Sequence, residues 1–193
     1  MFENISNKFI RAKFITKRSY MQNNIGIKGS SIITEFDQKN FLIPNQIHST
    51  NVVLSNSPGI ISRCDGVFTT NPKIVCSIKV ADCMPIFFAH KNKSVFGIVH
   101  AGWKGLTKGI LNEVSILLKT YKQNLNDFDI IIGPSIQNCC FEIAKDTVDY
   151  FPSKFIQPKG SGKFIVNLQK MAFEILKRIG FNNNNIKINS DCT

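Results

Sequence analysis

Short apolar segments recur along this sequence, and they limit its possible folds more than any other feature. Segments rich in β-branched and aromatic residues predict strands at residues 9–15, 51–54, 66–70, 74–80, 85–89, 95–100 and 128–133. Several of them are apolar at every position, where a half-exposed strand would be apolar at every second one. This pattern indicates strands that are covered on both faces of a sheet.

Two later segments have the apolar spacing of amphipathic helices. Residues 107–122 and 167–179 each carry an apolar stripe with the helical repeat. Asn167 is the expected N-cap of the second helix, and Gly180 is expected to end it. A last short strand is predicted at residues 186–189. With no internal repeat and no Gly/Ser/Pro-rich linker, the pattern favours one α+β domain.

Length, charge and cysteine content narrow the class of protein. Residues 1–193, with 43% hydrophobic content, suit a single domain. The net charge of +11 comes from 24 basic and 13 acidic residues, and the basic residues are scattered along the chain. We therefore expect no nucleic-acid partner and no membrane partner, since no apolar run approaches the about 18 residues of a membrane span. Six cysteines without a signal-peptide pattern predict reduced thiols and a cytoplasmic location.

Three short sequence motifs contain the residues of a candidate metal site. They are Gln46-Ile47-His48, Ala81-Asp82-Cys83 and His100-Ala101-Gly102-Trp103. Two imidazoles and one thiol make the open ligand set of a catalytic zinc site, which keeps its fourth position for water or substrate. Successive ligands are 35 and 17 residues apart, so only the fold can bring them together. Spacing alone leaves open the alternative of two ordinary hydrogen-bonded histidines and a small core cysteine.

These motifs occur along the chain in an order that resembles that of a known protein family. Besides the three above, the sequence carries Cys64-Asp65-Gly66 and Ile132-Gly133-Pro134-Ser135. The series resembles the YfiH or laccase-domain family, also called the multicopper polyphenol oxidase or purine nucleoside phosphorylase family. The resemblance runs from about residue 9 to residue 193 and implies packed β-sheets with helices on the outside. It also implies that His48, Cys83 and His100 bind Zn²⁺.

Further site residues follow from the resemblance and from their neighbours. The candidate catalytic residues are Asp82, Cys83 and His100, and the candidate substrate-binding residues are Gln46, Arg18, Trp103 and Lys104. Asp82 is expected to orient a metal-bound histidine, to transfer protons, or to cap a turn. Asp65 is either a turn residue or a second acid of the site. Trp103 stacks on a purine or packs in the core, and Lys104 supplies a positive charge close to the metal.

The resemblance implies a zinc-dependent enzyme that acts on purine nucleosides, with phosphate as the second small molecule. Its reactions would be phosphorolysis of adenosine, inosine or methylthioadenosine and deamination of adenosine. Copper-dependent oxidation of phenols is the first alternative, although three histidines in the chain are few for a multicopper site. The second is an amidase acting on peptidoglycan precursors through Cys83 and His100.

The third alternative is a binding protein without activity. Family members continue beyond a Cys-Thr pair into an Arg-bearing segment, whereas this sequence ends at Cys192-Thr193. We therefore expect zinc to bind normally and substrate to bind weakly. The sequence predicts no oligomeric state.

Overall fold

The part of the chain that the structure describes contains twelve strands and three α-helices. A computed structural model describes residues 10, 12–15 and 40–193. Numbered along the chain, the strands are β1 (Phe41–Pro44), β2 (Val52–Leu54), β3 (Gly59–Ile61), β4 (Gly66–Thr69), β5 (Val75–Cys76), β6 (Met84–His90), β7 (Phe96–Ala101), β8 (Phe128–Ile132), β9 (Glu142–Ala144), β10 (Ile156–Gly160), β11 (Lys163–Val166) and β12 (Ile186–Ile188). The α-helices of these residues are α1 (Trp103–Lys108), α2 (Ile110–Thr120) and α3 (Leu168–Ile179).

A six-stranded mixed sheet forms the centre of the fold. Its spatial order is β12-β8-β6-β7-β4-β2. The four middle strands, β8, β6, β7 and β4, each run antiparallel to their neighbours among the four, and β12 and β2 pair in parallel with β8 and β4 at the two edges. Ile86 and Phe88 of β6 belong to the large core, whereas Phe87 packs into the clusters on the opposite side. The prediction of strands covered on both faces is therefore confirmed.

Helices cover one face of the central sheet, and a smaller sheet lies over the other. The helical side buries Leu111 and Val114 of α2 and Leu176 of α3. On the other side, the parallel sheet β3-β1-β5 places Leu42 in a cluster with Val67 and Ile98 of the central sheet. A third, antiparallel sheet has the order β10-β11-β9. This α+β arrangement of packed sheets flanked by helices agrees with the predicted fold class.

The two predicted helices differ in how well their limits were foreseen. The helix at 167–179 is α3, with the Asn167 side chain accepting a hydrogen bond from the Lys170 N–H and Gly180 in the left-handed conformation. The helix predicted at 107–122 starts earlier, at Trp103, and is interrupted at Gly109. Gly109 has φ 99°, which ends α1 and begins α2.

Two predicted strands are wrong in extent. The segment 74–80 forms only the two-residue β5, because it serves as a short edge strand beside β1. In the segment 9–15, residues 10 and 12–15 have no regular secondary structure, and residues 9 and 11 lie outside the described residues. None of the helices within the described ranges is long and apolar enough to cross a membrane.

Candidate metal centre

The topology of the central sheet brings the candidate ligands to one end of three adjacent strands. Because β7 runs antiparallel to both β4 and β6, its end lies beside their beginnings. Asp65 directly precedes β4, Cys83 directly precedes β6, and His100 is the last residue but one of β7. The pairing of His100 with Pro85 sets the register that places these side chains together.

The third ligand lies on a loop that a buried carboxylate holds in place. Asp65 is fully buried and accepts hydrogen bonds from the backbone N–H groups of Ile47 (3.3 Å), His48 (2.9 Å) and Ser49 (2.6 Å). The Ser49 hydroxyl donates to the same carboxylate at 2.7 Å. These bonds hold His48 in a left-handed conformation, with φ 59°, which is uncommon for a residue other than glycine. Backbone conformations that are energetically unfavourable in this way are typical of functional sites.

The donor atoms of His48, Cys83 and His100 converge. All three lie within 4.8 Å of one another, and the two imidazole rings meet edge to face at a centroid distance of 4.8 Å. Gly102 closes the site: a Cβ atom there would lie 3.0 Å from Cys83 Sγ and 3.0 Å from His48 Cδ2. Two nitrogens and one sulfur at this spacing suit a tetrahedral ion that keeps one open position, as catalytic zinc does.

Asp65 also sets the chemistry of His100. His100 Nδ1 lies 2.9 Å from Asp65 Oδ1, which makes Nδ1 the donor and leaves Nε2 with a free lone pair. Burial by itself would raise the pKa of Asp65, but the hydrogen bonds from His100, Ser49 and Ile47 outweigh it and hold that pKa below its usual range. One ionised carboxylate thus orients the His100 ring and fixes the loop that carries His48.

Cys83 has the opposite electrostatic environment. Burial, together with the negative charges of Asp82 and Asp65, raises the pKa of its thiol. The thiol is therefore neutral near pH 7 unless a cation binds beside it. This environment disfavours Cys83 as an unaided nucleophile and fits a ligand that ionises when a metal arrives.

Asp82 and Gln46 have contacts other than those expected of them. Asp82 is exposed, and its carboxylate accepts a hydrogen bond from the Thr193 hydroxyl at 3.2 Å. The histidine-orienting contact, one of the options for Asp82, is made by Asp65. The Gln46 amide donates to the Lys79 carbonyl at 2.8 Å and accepts from the Lys79 N–H at 3.0 Å. Gln46 thus ties the His48 loop to a neighbouring segment, and a substrate contact would have to displace these bonds.

The remaining predicted site residues lie around α1. Trp103 is half-buried, with ring centroids of Tyr150 and Phe151 at 5.6 and 5.7 Å, so packing is its visible role. Lys104 is exposed, and its Nζ lies 5.6 Å from the centroid of the Trp103 ring. Arg18 lies outside the described residues. Among the site residues, Asp65 is the one whose importance the sequence understated.

A methyl group at Gly102 tests whether the three ligands converge as described. Its φ of −67° and ψ of 160° suit alanine, so any effect of Gly102→Ala must come from crowding Cys83 and His48. We expect the variant to fold and to bind zinc about 10-fold more weakly, as overpacking by one methyl group costs on the order of 1–3 kcal/mol. Competition with a chromophoric chelator measures the affinity. Lys108→Ala, at an exposed position of α1, the helix that follows Gly102, is the control, and equal affinities in both variants would contradict the geometry.

Comparison with known proteins places the chain in a family. Residues 21–193 match the family model described as multi-copper polyphenol oxidoreductase laccase, so the chain belongs to this family. It is 29% identical over 167 residues to a purine nucleoside phosphorylase of Rickettsia prowazekii, an alignment covering 86% of this chain and 66% of the relative. It is 26% identical to a protein of the same name from Staphylococcus aureus strain N315, covering 93% of this chain and 73% of the relative.

Solved structures show the same fold. YfiH of Bacillus licheniformis superposes with a TM-score of 0.76 at 22% identity, covering 98% of this chain and 75% of that one. YlmD of Geobacillus stearothermophilus gives a TM-score of 0.75 at 23% identity, covering 80% and 64%. The chain spans 66% of the length of the Rickettsia prowazekii relative and 64% of the length of a purine nucleoside phosphorylase of Rickettsia conorii, to which it is 29% identical. The predicted family and fold are confirmed.

Proposed function

We propose that this chain is a zinc-dependent enzyme that acts on purine nucleosides, with phosphorolysis as its main reaction and deamination of adenosine as a second one. The observation that carries the proposal is the convergence of His48, Cys83 and His100 behind the buried Asp65. The names of the relatives supply the substrate class. When bound, zinc would supply a Lewis acid at the open side of the three ligands.

The residues of the chain divide the remaining work. His48, Cys83 and His100 hold the ion, while Asp65 keeps His100 Nε2 available and holds the His48 loop. In phosphorolysis, a phosphate oxygen bonds to C1′ of the ribose as the bond to the purine nitrogen breaks. The proton carried by the phosphate ends on the released base. The exposed Asp82 carboxylate, next to Cys83, is the group we assign to relay that proton.

Charged and aromatic groups near the ligands suit the two substrates. Lys104 is exposed on α1, two residues after Gly102, and offers a cation for phosphate. Trp103 lies beside it, with the Tyr150 ring tilted against its own at a centroid distance of 5.6 Å, and its exposed part is the surface we assign to a purine. The net charge of +11 adds a general attraction for anions.

Two other functions fit the geometry less well. The family description names a copper oxidase, yet His90, the third histidine of the chain, lies at the opposite end of β6 from Cys83. Two histidines are too few for several copper ions. A cysteine amidase needs a thiolate nucleophile, whereas the surroundings of Cys83 raise the pKa of its thiol.

The proposed function is tested by measuring whether product formation from each nucleoside requires phosphate. With inosine, we expect free hypoxanthine and ribose 1-phosphate only when phosphate is present. With adenosine, inosine should form even without phosphate. Chromatography of the products, before and after removal of metal by a chelator, separates the two reactions. Copper-dependent oxygen uptake on phenols without any nucleoside product would contradict the proposal.

A further inference from the structure

A second cluster of thiols lies outside the candidate zinc centre. Cys139, Cys140 and Cys192 are all exposed and free, and their sulfur atoms lie within 4.8 Å of one another. Cys139 Sγ is 3.3 Å from Cys140 Sγ and 3.5 Å from Cys192 Sγ. This spacing suits three metal–sulfur bonds of about 2.3 Å. The three residues form what we call the thiol cluster.

The backbone holds the thiol cluster together across a large distance in sequence. Because β12 pairs in parallel with β8, the segments that follow these two strands run side by side. The N–H of Ser135 donates to the Asp191 carbonyl at 3.3 Å, and the N–H of Asn189 donates to the Ile132 carbonyl at 2.8 Å. These bonds hold Cys192 against the loop that carries Cys139 and Cys140.

Hydrogen bonds shift the pKa values of two thiols in the cluster in opposite directions, because the contact with Cys139 raises the pKa of Cys140 to about 11 whereas the pKa of Cys192 is lowered. The N–H of Gln137 donates to Cys192 Sγ at 3.4 Å, and this bond holds the pKa of the thiol below its usual range. Cys139 lies in contact with both other sulfurs, so one ion between them would reach all three. Each thiol would release its proton to water as its metal–sulfur bond forms.

We propose that the thiol cluster binds one monovalent copper ion through Cys139, Cys140 and Cys192. Thiolates are soft ligands that select monovalent copper or zinc among common metals. Structural zinc almost always takes four protein ligands, whereas the cluster found among the described residues has three. Monovalent copper accepts a planar set of three sulfurs and needs no fourth ligand. This site would be separate from the proposed zinc centre, to which it connects through the contact between Thr193 and Asp82.

Copper titration of a protein without the first metal centre tests the proposal. The His48→Ala/Cys83→Ala protein is titrated with monovalent copper under anaerobic conditions, in competition with bicinchoninate. We expect one tightly held copper ion per chain, and X-ray absorption should show sulfur neighbours alone. Adding Cys139→Ser or Cys192→Ser should weaken binding at least 100-fold. Both positions are exposed, so the variants should fold, and circular dichroism checks this. Cys76→Ala, which removes a thiol from β5, should leave copper binding unchanged.

Three results would overturn the proposal. One is equal copper affinity in the protein with and without Cys192→Ser. Another is a copper environment dominated by nitrogen or oxygen. The third is displacement of the copper by an equal concentration of zinc. Since His48 and Cys83 are absent from the tested protein, failure of the copper site would say nothing about the zinc centre, and the reverse also holds.

Discussion

The Cys83→Ala protein is expected to lose both the proposed zinc ion and the proposed nucleoside activity. Cys83 supplies the only sulfur within the candidate centre, and its removal leaves two histidines, too few to hold zinc tightly. The loss of affinity should exceed the about 10- to 100-fold that follows removal of an outer hydrogen-bonding partner. Elemental analysis of the purified protein and chromatography of the products measure the two effects together.

Cys76→Ala is the matched control for that experiment. It also removes a thiol, but from β5 in the smaller parallel sheet. We expect it to keep its zinc and its activity, after allowance for any fraction that fails to fold. Zinc at full occupancy in the Cys83→Ala protein would remove Cys83 from the ligand set.

The Asp65→Asn protein is expected to lose metal affinity and stability together. The neutral amide would still reach His100, but it cannot accept all the hydrogen bonds that three backbone N–H groups and the Ser49 hydroxyl now donate. Weakened orientation of the histidine should cost about 10- to 100-fold in zinc affinity. Donors left without a charged acceptor should cost about 2–4 kcal/mol in the free energy of unfolding.

Urea unfolding in the presence of a chelator isolates the stability effect from metal binding. Asp149→Asn, at an exposed position, is the control.

The pH dependence of stability gives a second test, because the fold lowers the pKa of Asp65. In acid, the unfolded chain takes up a proton at this residue before the folded chain does. Wild-type stability should therefore fall as the pH drops below about 4, and part of that fall should be missing in Asp65→Asn. If the free energy of unfolding fell equally in acid for the two proteins, the result would contradict the role of this carboxylate.

The sequence predicted those elements whose conformation and limits are set by residues within or next to the element itself. Helix α3 has an apolar stripe, a capping Asn167 and a terminating Gly180, so its limits were predictable. Helix α1 begins with Trp103-Lys104-Gly105, which has no such stripe, and its start was missed. Strands β3 and β10 are short and exposed and contain glycine or proline, so their pairing partners decide their conformation.

The three side chains named as candidate ligands could be identified from the sequence, whereas the residues that support them could not. The sequence motifs that resemble those of the family indicate His48, Cys83 and His100, and the structure brings these three side chains together. The role of Asp65 depends on hydrogen bonds to a loop 16 to 18 residues earlier and to a histidine 35 residues later, and no local pattern encodes them. The thiol cluster was also invisible in sequence, because 53 residues separate Cys139 from Cys192.

X-ray absorption at the zinc edge of the purified wild-type protein tests the central claim most directly. The account predicts about one zinc ion per chain with one sulfur neighbour at about 2.3 Å and nitrogen or oxygen neighbours at about 2.0–2.1 Å, two of them imidazoles. A spectrum without sulfur, a spectrum with three or four sulfurs, or protein that holds no zinc after purification in zinc-containing medium would contradict it.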